Sequence, residues 1–292
     1  MLNLLKADLY RISKDKLFIV SLIICLVLAI VIPLGYFGIT MLTNEITIKS
    51  FEASGATAED IQLLRQQCRD QMLPAYTLTK LMTSAASPFG IVLGVFIIIL
   101  LGKDRETCRN KIIVGKSRGE IYFANLLLTL IVYIGFMVLY TLVTYLSSIM
   151  VLSTDFGTDA WHVLAGIGLR LAALAGTALG ISFFTTAFHN NALPIVLHII
   201  INYLSMCVGI FMVAFGAASD VLASGGSEGQ AAAEQVLSGV KIISGINFPF
   251  SLFGMLGDFS AETIISFVLT IFILGTLFLS LGYVIFKHKK LK

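Results

Sequence analysis

Long apolar runs separated by shorter polar stretches divide the chain, and each run approaches the roughly 20 residues a helix needs to cross a hydrocarbon core of about 30 Å. The pattern predicts spans at about 17–39, 80–102, 118–152, 163–188, 192–217 and 262–286. The opening segment is different. Leu2, Leu5, Leu9 and Ile12 recur at spacings of three and four, with Lys6, Arg11 and Lys14 elsewhere around the wheel, which predicts an amphipathic interfacial helix over residues 1–15. A basic start before an apolar run also fits a signal peptide, but this run is of full spanning length and no small-x-small cleavage site follows it. The third span, about 35 residues or roughly 52 Å at the helical rise, is expected to project its first turns beyond the membrane.

The polar stretches carry their own signals. Within residues 40–75, Thr57 is placed to cap a helix with Ile61, Leu64, Cys68 and Met72 on one face, read as an outer helix lying over the bundle. An acidic turn with Asp155 and Asp159 precedes Trp161, which sits like an interfacial anchor. His189, Asn190 and Asn191 form a tight turn, with Pro194 just inside the fifth span. Residues 218–260 combine a Gly/Ser-rich linker, a predicted helix over 231–243 and an apolar NFPFSLFGMLG stretch with the composition to dip back into a membrane.

Composition turns these runs into a class. The chain is 57% hydrophobic and 13% charged, where a soluble domain has about a quarter of its residues charged. The expected fold is an all-α integral membrane protein with six transmembrane helices, an N-terminal interfacial helix, a short helix in the basic stretch and extracellular helices. It forms a single membrane domain over residues 1–292. No polar run is long enough to fold alone as a catalytic domain, so any energy-converting domain belongs to another chain. The lipid bilayer is an expected partner and nucleic acid is not.

Charge then orients the spans. Of 20 Lys and Arg, 14 fall in the N-terminal segment, the stretch Lys103–Glu120 and the C-terminal tail, with only 5 of the 17 acids. Basic residues near span ends stay inside, so both termini and residues 103–120 are expected in the cytoplasm. Cys25, Cys68, Cys108 and Cys207 are scattered and expected to be free thiols. Cys108, in the basic stretch, offers a handle for testing its sidedness with an impermeant thiol reagent.

The basic stretch, KDRETCRNKIIVGKSRGE, interrupts the apolar pattern with six basic residues and three acids. Thr107 to Val114 is helix-compatible, Gly115 suits a helix C-terminus that needs positive φ, and Ser117 with Glu120 makes a capping-box pattern for the next helix. A short helix, a glycine stop and a capped restart form a rigid knob suited to receiving force from a soluble partner. Anionic headgroup attraction, roughly 1 kcal/mol per basic residue near the surface, is the simpler reading of the charge. The interleaved acids and the defined stop and restart favour docking.

Several motifs resemble chemistry without completing it. Gly115-Lys116-Ser117 looks like the end of a phosphate-binding loop, but Asn110 stands where the first glycine belongs and no strand precedes it. His198 and Asn202, four apart, share a helix face as in some intramembrane proteases, yet the acids such an enzyme needs are missing from the spans. His189 and His198 are nine apart, the wrong spacing for a metal pair on one helical turn. The chain is therefore expected to be non-catalytic and to hold neither metal nor cofactor. Arg170, two turns into the fourth span, faces either a cavity or, by snorkelling, Asp155 or Asp159 at the outer surface. Ala172, Gly176 and Gly180 form a small-xxx-small ladder for close helix approach.

Residues Arg109–Leu127, RNKIIVGKSRGEIYFANLL, resemble the cytoplasmic loop of type-2 ABC transporter permeases, the membrane subunits of ABC exporters of peptide antibiotics or drugs. The opening LLKADLYRISKDKLF is similar to that family's interfacial elbow helix. The resemblance implies that the basic stretch is a coupling helix seated in a groove of a separate ABC ATPase subunit, which binds the ATP and Mg. Glu106, Thr107, Arg109, Asn110, Gly115, Ser117 and Arg118 would carry coupling, with Lys111 beside Arg109 where the ATPase pushes. Many relatives have Gly-Thr where this chain has Glu106-Thr107, which alters the helix start. The resemblance further implies a second permease subunit, identical or different, and a bacterial plasma-membrane location. A hydrophobic or amphipathic substrate, such as an antimicrobial peptide or drug, fits the scarcity of fixed charge in the spans. Arg170, Thr177, Ser182, His198 and Asn202 are the candidate pathway residues. A secondary transporter, which calls for intramembrane acids or broken helices, and a non-transporting scaffold or sensor subunit are the competing readings.

Overall fold

The structure, a computed structural model, describes residues 2–55, 57–70, 72, 74, 75, 78, 79, 87–103, 105–152, 160–188, 190–204, 207 and 261–289. Among these the chain is all-helical. The elements are α1 (Leu2–Ser13), α2 (Lys16–Ala53), α3 (Ala58–Asp70), α4 (Pro88–Lys103), α5 (Arg105–Ile113), α6 (Arg118–Val151), α7 (Ala160–Ala187), α8 (Ala192–Leu204) and α9 (Ala261–His288). Expectations for residues 80–86, Asp155, Asp159, the Trp161 side chain, His189, 208–217 and 218–260 lie outside the described residues, as do Lys290 and Lys292 of the tail.

Three stretches among the described residues, Lys16–Ala53, Arg118–Val151 and Arg170–Ala187 within α7, are long and apolar enough to cross a membrane. The described parts of α4, α8 and α9 give shorter apolar helices. Much of α2 is apolar all round, the pattern of a helix solvated by lipid rather than water, and Ile23, Val27, Val31 and Leu34 face outward.

The bundle is built around α6, which packs against α1, α2, α4, α5, α7 and α9. Its periodic buried face supplies Tyr122, Leu128, Tyr133, Met137 and Tyr140. Aromatic pairs tie it to its neighbours: Phe136 meets Phe18 of α2 edge-on at 5.1 Å, and Tyr140 stacks on Phe89 of α4 at 4.2 Å. Close approach elsewhere depends on missing side chains. The His198 ring of α8 occupies the space a Cβ on Gly94 of α4 would need, and Asn191 does the same at Gly102.

The structure departs from the sequence expectation beyond the first span. Residues 40–53 continue α2 instead of starting a separate polar segment, so α2 has 38 residues, about 57 Å. Thr40, Thr43 and Thr47 each return their hydroxyl to the carbonyl four residues back, on Tyr36, Ile39 and Thr43, so polarity here does not interrupt the helix. The chain reverses at Gly55, with φ of 81°. Helix α3 then pairs with the extension of α2 through Asn44 to the Cys68 carbonyl and an Arg65–Glu52 ion pair. Thr57 caps α3, accepting from the Asp60 amide at 3.3 Å.

Candidate functional site

At one end of the bundle α1, α5, the start of α6 and the end of α9 converge, and the basic stretch lies among them. Both described chain ends therefore sit at the same end of the molecule. Local chemistry sets the shape of the stretch. Gly115 adopts φ of 88°; its amide donates to the Ile112 carbonyl at 2.9 Å while the Lys116 amide donates to the Lys111 carbonyl at 3.1 Å. This pair of bonds closes α5 in a Schellman motif. Ser117 Oγ accepts from the Glu120 amide and Glu120 Oε2 accepts from the Ser117 amide, at 3.2 and 3.3 Å. That reciprocal capping box starts α6 two residues after the glycine.

The predicted coupling residues divide into two sets. Arg109 and Asn110 are exposed on α5, and beside them stand two residues the sequence reading used only as helix formers, Ile113 and Val114, exposed at 73% and 79%. Thr107, Lys111 and Arg118 turn inward instead. Lys111 Nζ bonds Asp8 Oδ2 of α1 at 2.9 Å, with side chains only 12% and 6% exposed. Arg11 Nη1 donates to Thr107 Oγ1 at 3.0 Å. Arg118 Nη1 donates to the carbonyls of Lys287 and Lys289, each at 2.8 Å, at the C-terminus of α9. A cation there complements the negative end of the helix dipole. Glu106 lies in α5, and its side chain is outside the described residues.

Three further charges belong to this network. Lys103 Nζ pairs with Asp15 at 3.1 Å. Asp15 also caps α2, accepting from the Leu17 amide at 2.9 Å; this bond, helped by the Lys103 ammonium and opposed by partial burial, holds its carboxyl below the ordinary 3.8. Lys289 donates to the carbonyls of Thr186 and Phe188 at the end of α7. Asp8 could have been found in the sequence: it falls between Leu5 and Ile12 on the buried face of α1, and an acid inside an apolar stripe calls for a buried partner. That stripe packs on the bundle, and Leu2 is left exposed.

All four cysteines are free. Cys108 is only 4% exposed, packed with Ile121, Tyr122 and Phe286, and Asn125 donates to its sulfur. Its labelling would report opening of α5 and not simply the side on which the loop lies.

The candidate pathway residues occupy a different part of the molecule. Arg170, Thr177 and Ser182 are buried in α7, and His198 and Asn202 in α8. Arg170 is 7% exposed, and its expected alternative partners Asp155 and Asp159 lie outside the described residues. Asn202 Nδ2 donates to the His198 carbonyl at 2.8 Å and lies 3.2 Å from its Nδ1. An apolar crevice between α2, α4 and α6 is lined by Phe18, Leu93, Ile97, Val132 and Phe136 and includes none of these five residues. Among the described residues no cluster of His, Cys, Asp and Glu has the makings of a metal site.

No protein-family model, curated protein or solved structure matches the chain.

Proposed function

We propose that the chain is the membrane-spanning permease subunit of an ATP-driven ABC exporter, with α5 as the docking helix for a separate ATPase subunit. Six passes with both termini cytoplasmic, in a bacterial plasma membrane, and a second permease subunit complete the assembly. ATP and Mg reside on the ATPase, and this chain carries no catalysis. ATP-driven closure pushes on α5, and α6, continuous from the basic stretch to the far end of the bundle, carries the displacement to a hydrophobic or amphipathic substrate.

One observation supports this reading above the rest. A nine-residue helix presents Arg109, Asn110 and Ile113 outward, with Val114 exposed just past its end, while its other face is tied to α1 by Lys111 and Thr107. A lipid-headgroup patch needs only charge. A docking knob needs an apolar tip and a stiff mount, and both are present. Arg118 is a poor probe because its loss would disturb α9. Arg109→Glu combined with Ile113→Asp leaves every interaction described above intact. Affinity purification of this variant from native membranes is expected to retain at least about tenfold less ATPase subunit than wild type, since a few central contacts dominate most protein interfaces. Retention at the wild-type level, or a wild-type chain that brings down no ATPase, would defeat the proposal.

A further inference from the structure

Three of the polar contacts at the basic end form a ladder. On one side stand Asp8, Arg11 and Asp15, spaced by three and four along α1 and the start of α2; on the other stand Lys111, Thr107 and Lys103, spaced by four. The rungs pair 8 with 111, 11 with 107 and 15 with 103, so the two stretches run antiparallel, the first two rungs one helical turn apart between α1 and α5 and the third joining the cap of α2 to the last residue of α4. The order of charges resists slippage. A shift of one rung in either direction sets Arg11 opposite a lysine, Lys103 or Lys111, and strands a carboxylate opposite Thr107 or beyond the ladder. Like charges facing each other are disfavoured, most of all at the enclosed Lys111, 12% exposed, and less at the open Lys103.

We infer that this ladder sets the register of α5, with Asp8 as the positioning residue that holds the Arg109–Val114 surface outward. Helix α1 is then the wall against which α5 is braced, and a push on α5 reaches α2 and α6 through it. The Lys111–Asp8 rung is the innermost of the three and the most enclosed. Removing one partner of an enclosed pair leaves the other charge uncompensated, which costs far more than loss of an exposed pair. Asp8 also lies 3.9 Å from Arg11, so its carboxylate restrains two rungs. The inference rests on the docking role proposed for α5, but its first readout does not.

Cys108 supplies that readout. It sits in α5 packed against Ile121 and Tyr122 of α6 and Phe286 of α9, so its reaction with a maleimide requires α5 to lift away. Alkylation of the full-length chain in detergent, followed peptide by peptide, is expected to run about tenfold faster at Cys108 in Asp8→Asn than in wild type. Cys25, fully buried in the core, should react at an unchanged rate and so mark the opening as local. Asp8→Lys combined with Lys111→Asp should restore Cys108 to within about threefold of wild type, while Asp8→Lys alone should not. If Asp8→Asn does not fold, Lys111→Met tests the same rung from the other side.

A wild-type Cys108 rate in Asp8→Asn or Lys111→Met, or a double exchange no better than Asp8→Lys alone, would overturn the register role. ATPase co-purification separates this from failure of the docking proposal. Unchanged Cys108 protection in Asp8→Asn while Arg109→Glu/Ile113→Asp loses ATPase sinks the ladder and keeps the docking. Faster Cys108 labelling, reversed by the exchange, while Arg109→Glu/Ile113→Asp keeps its ATPase supports the ladder and sinks the docking.

Discussion

At the basic end of the bundle, polar side chains reach far along the sequence: Lys111 to Asp8 across 103 residues, Arg118 to the Lys287 carbonyl across 169, Lys289 to the Thr186 carbonyl across 103. Inside the long helices Tyr122 and Cys25 reach across to the carbonyls of Leu279 and Phe136, but many serine and threonine hydroxyls reach only a short way. Thr141, Ser147 and Ser148 each return their hydroxyl to the carbonyl four residues earlier, on Met137, Val143 and Thr144. The first kind of bond joins one helix to another and resists their separation. The second satisfies a hydroxyl where water is scarce and joins nothing. The proposed export role, in which force enters at one end, calls for a braced input of this kind.

Within the spans, shape carries much of the helix-to-helix fit, and breaking shape should have the largest effect. Gly94 leaves the space that the His198 ring fills, and both belong to packed helices. Gly94→Leu forces α4 and α8 apart and should cost about 3 kcal/mol, at the upper end of overpacking penalties. Thermal unfolding of the purified chain should show a drop of several degrees. An unchanged midpoint would mean that α8 is not held in this seat.

At the braced end a single cation comes next. Arg118 satisfies carbonyls at the last turn of α9, and its replacement by Met removes charge-assisted bonds worth about 2 kcal/mol together. The loss should be local. Hydrogen exchange in residues 283–289 should accelerate at least about tenfold while the middle of α6 stays protected, and uniform acceleration would show that the end is not a separate unit.

How far the sequence reveals each half follows from the range of its interactions. The stop at Gly115 and the restart at Ser117 and Glu120 are encoded within six residues and were legible, as was the unbroken apolar run that becomes α6. The extension of α2 was hidden because Glu45, Lys49 and three threonines read as a polar loop, although alternating charge and back-bonded hydroxyls are equally at home on a helix. The ladder was hidden for another reason. Nothing near Lys111 names Asp8 as its partner, and only the misplaced acid among Leu5 and Ile12 hinted that one existed. The exposure of Ile113 and Val114 was illegible too, since which face of a short helix is braced depends on α1.

A smaller effect should separate Asp15 from its neighbours in the network by pH. Its carboxyl is held below the ordinary value by the Leu17 amide and then by Lys103, so the folded state favours the charged form. The stabilisation is full above the unfolded pKa of about 3.9, and declines as pH falls through the lower folded value. Asp15→Ala should therefore cost about 1 kcal/mol at neutral pH, the usual worth of an N-cap. The gap from wild type should close on acidification, and a pH-independent difference would assign the effect to packing.

The smallest expected effect is the sharpest test of the contrast. Ser148 is fully buried in α6, and its hydroxyl donates to the Thr144 carbonyl of the same helix at 2.7 Å. If span hydroxyls bind nothing but their own helix, Ser148→Ala gives up one bond to a carbonyl that the helical Ser148 amide also satisfies, and gains a better helix former. The change in unfolding free energy should stay within about 0.5 kcal/mol, although the site is as enclosed as Asp8, where loss of the polar group is expected to open α5. A cost above about 1.5 kcal/mol at Ser148 would mean that the hydroxyl does link helices. The bundle would then be braced along its length, and the contrast between its basic end and its spans would fail.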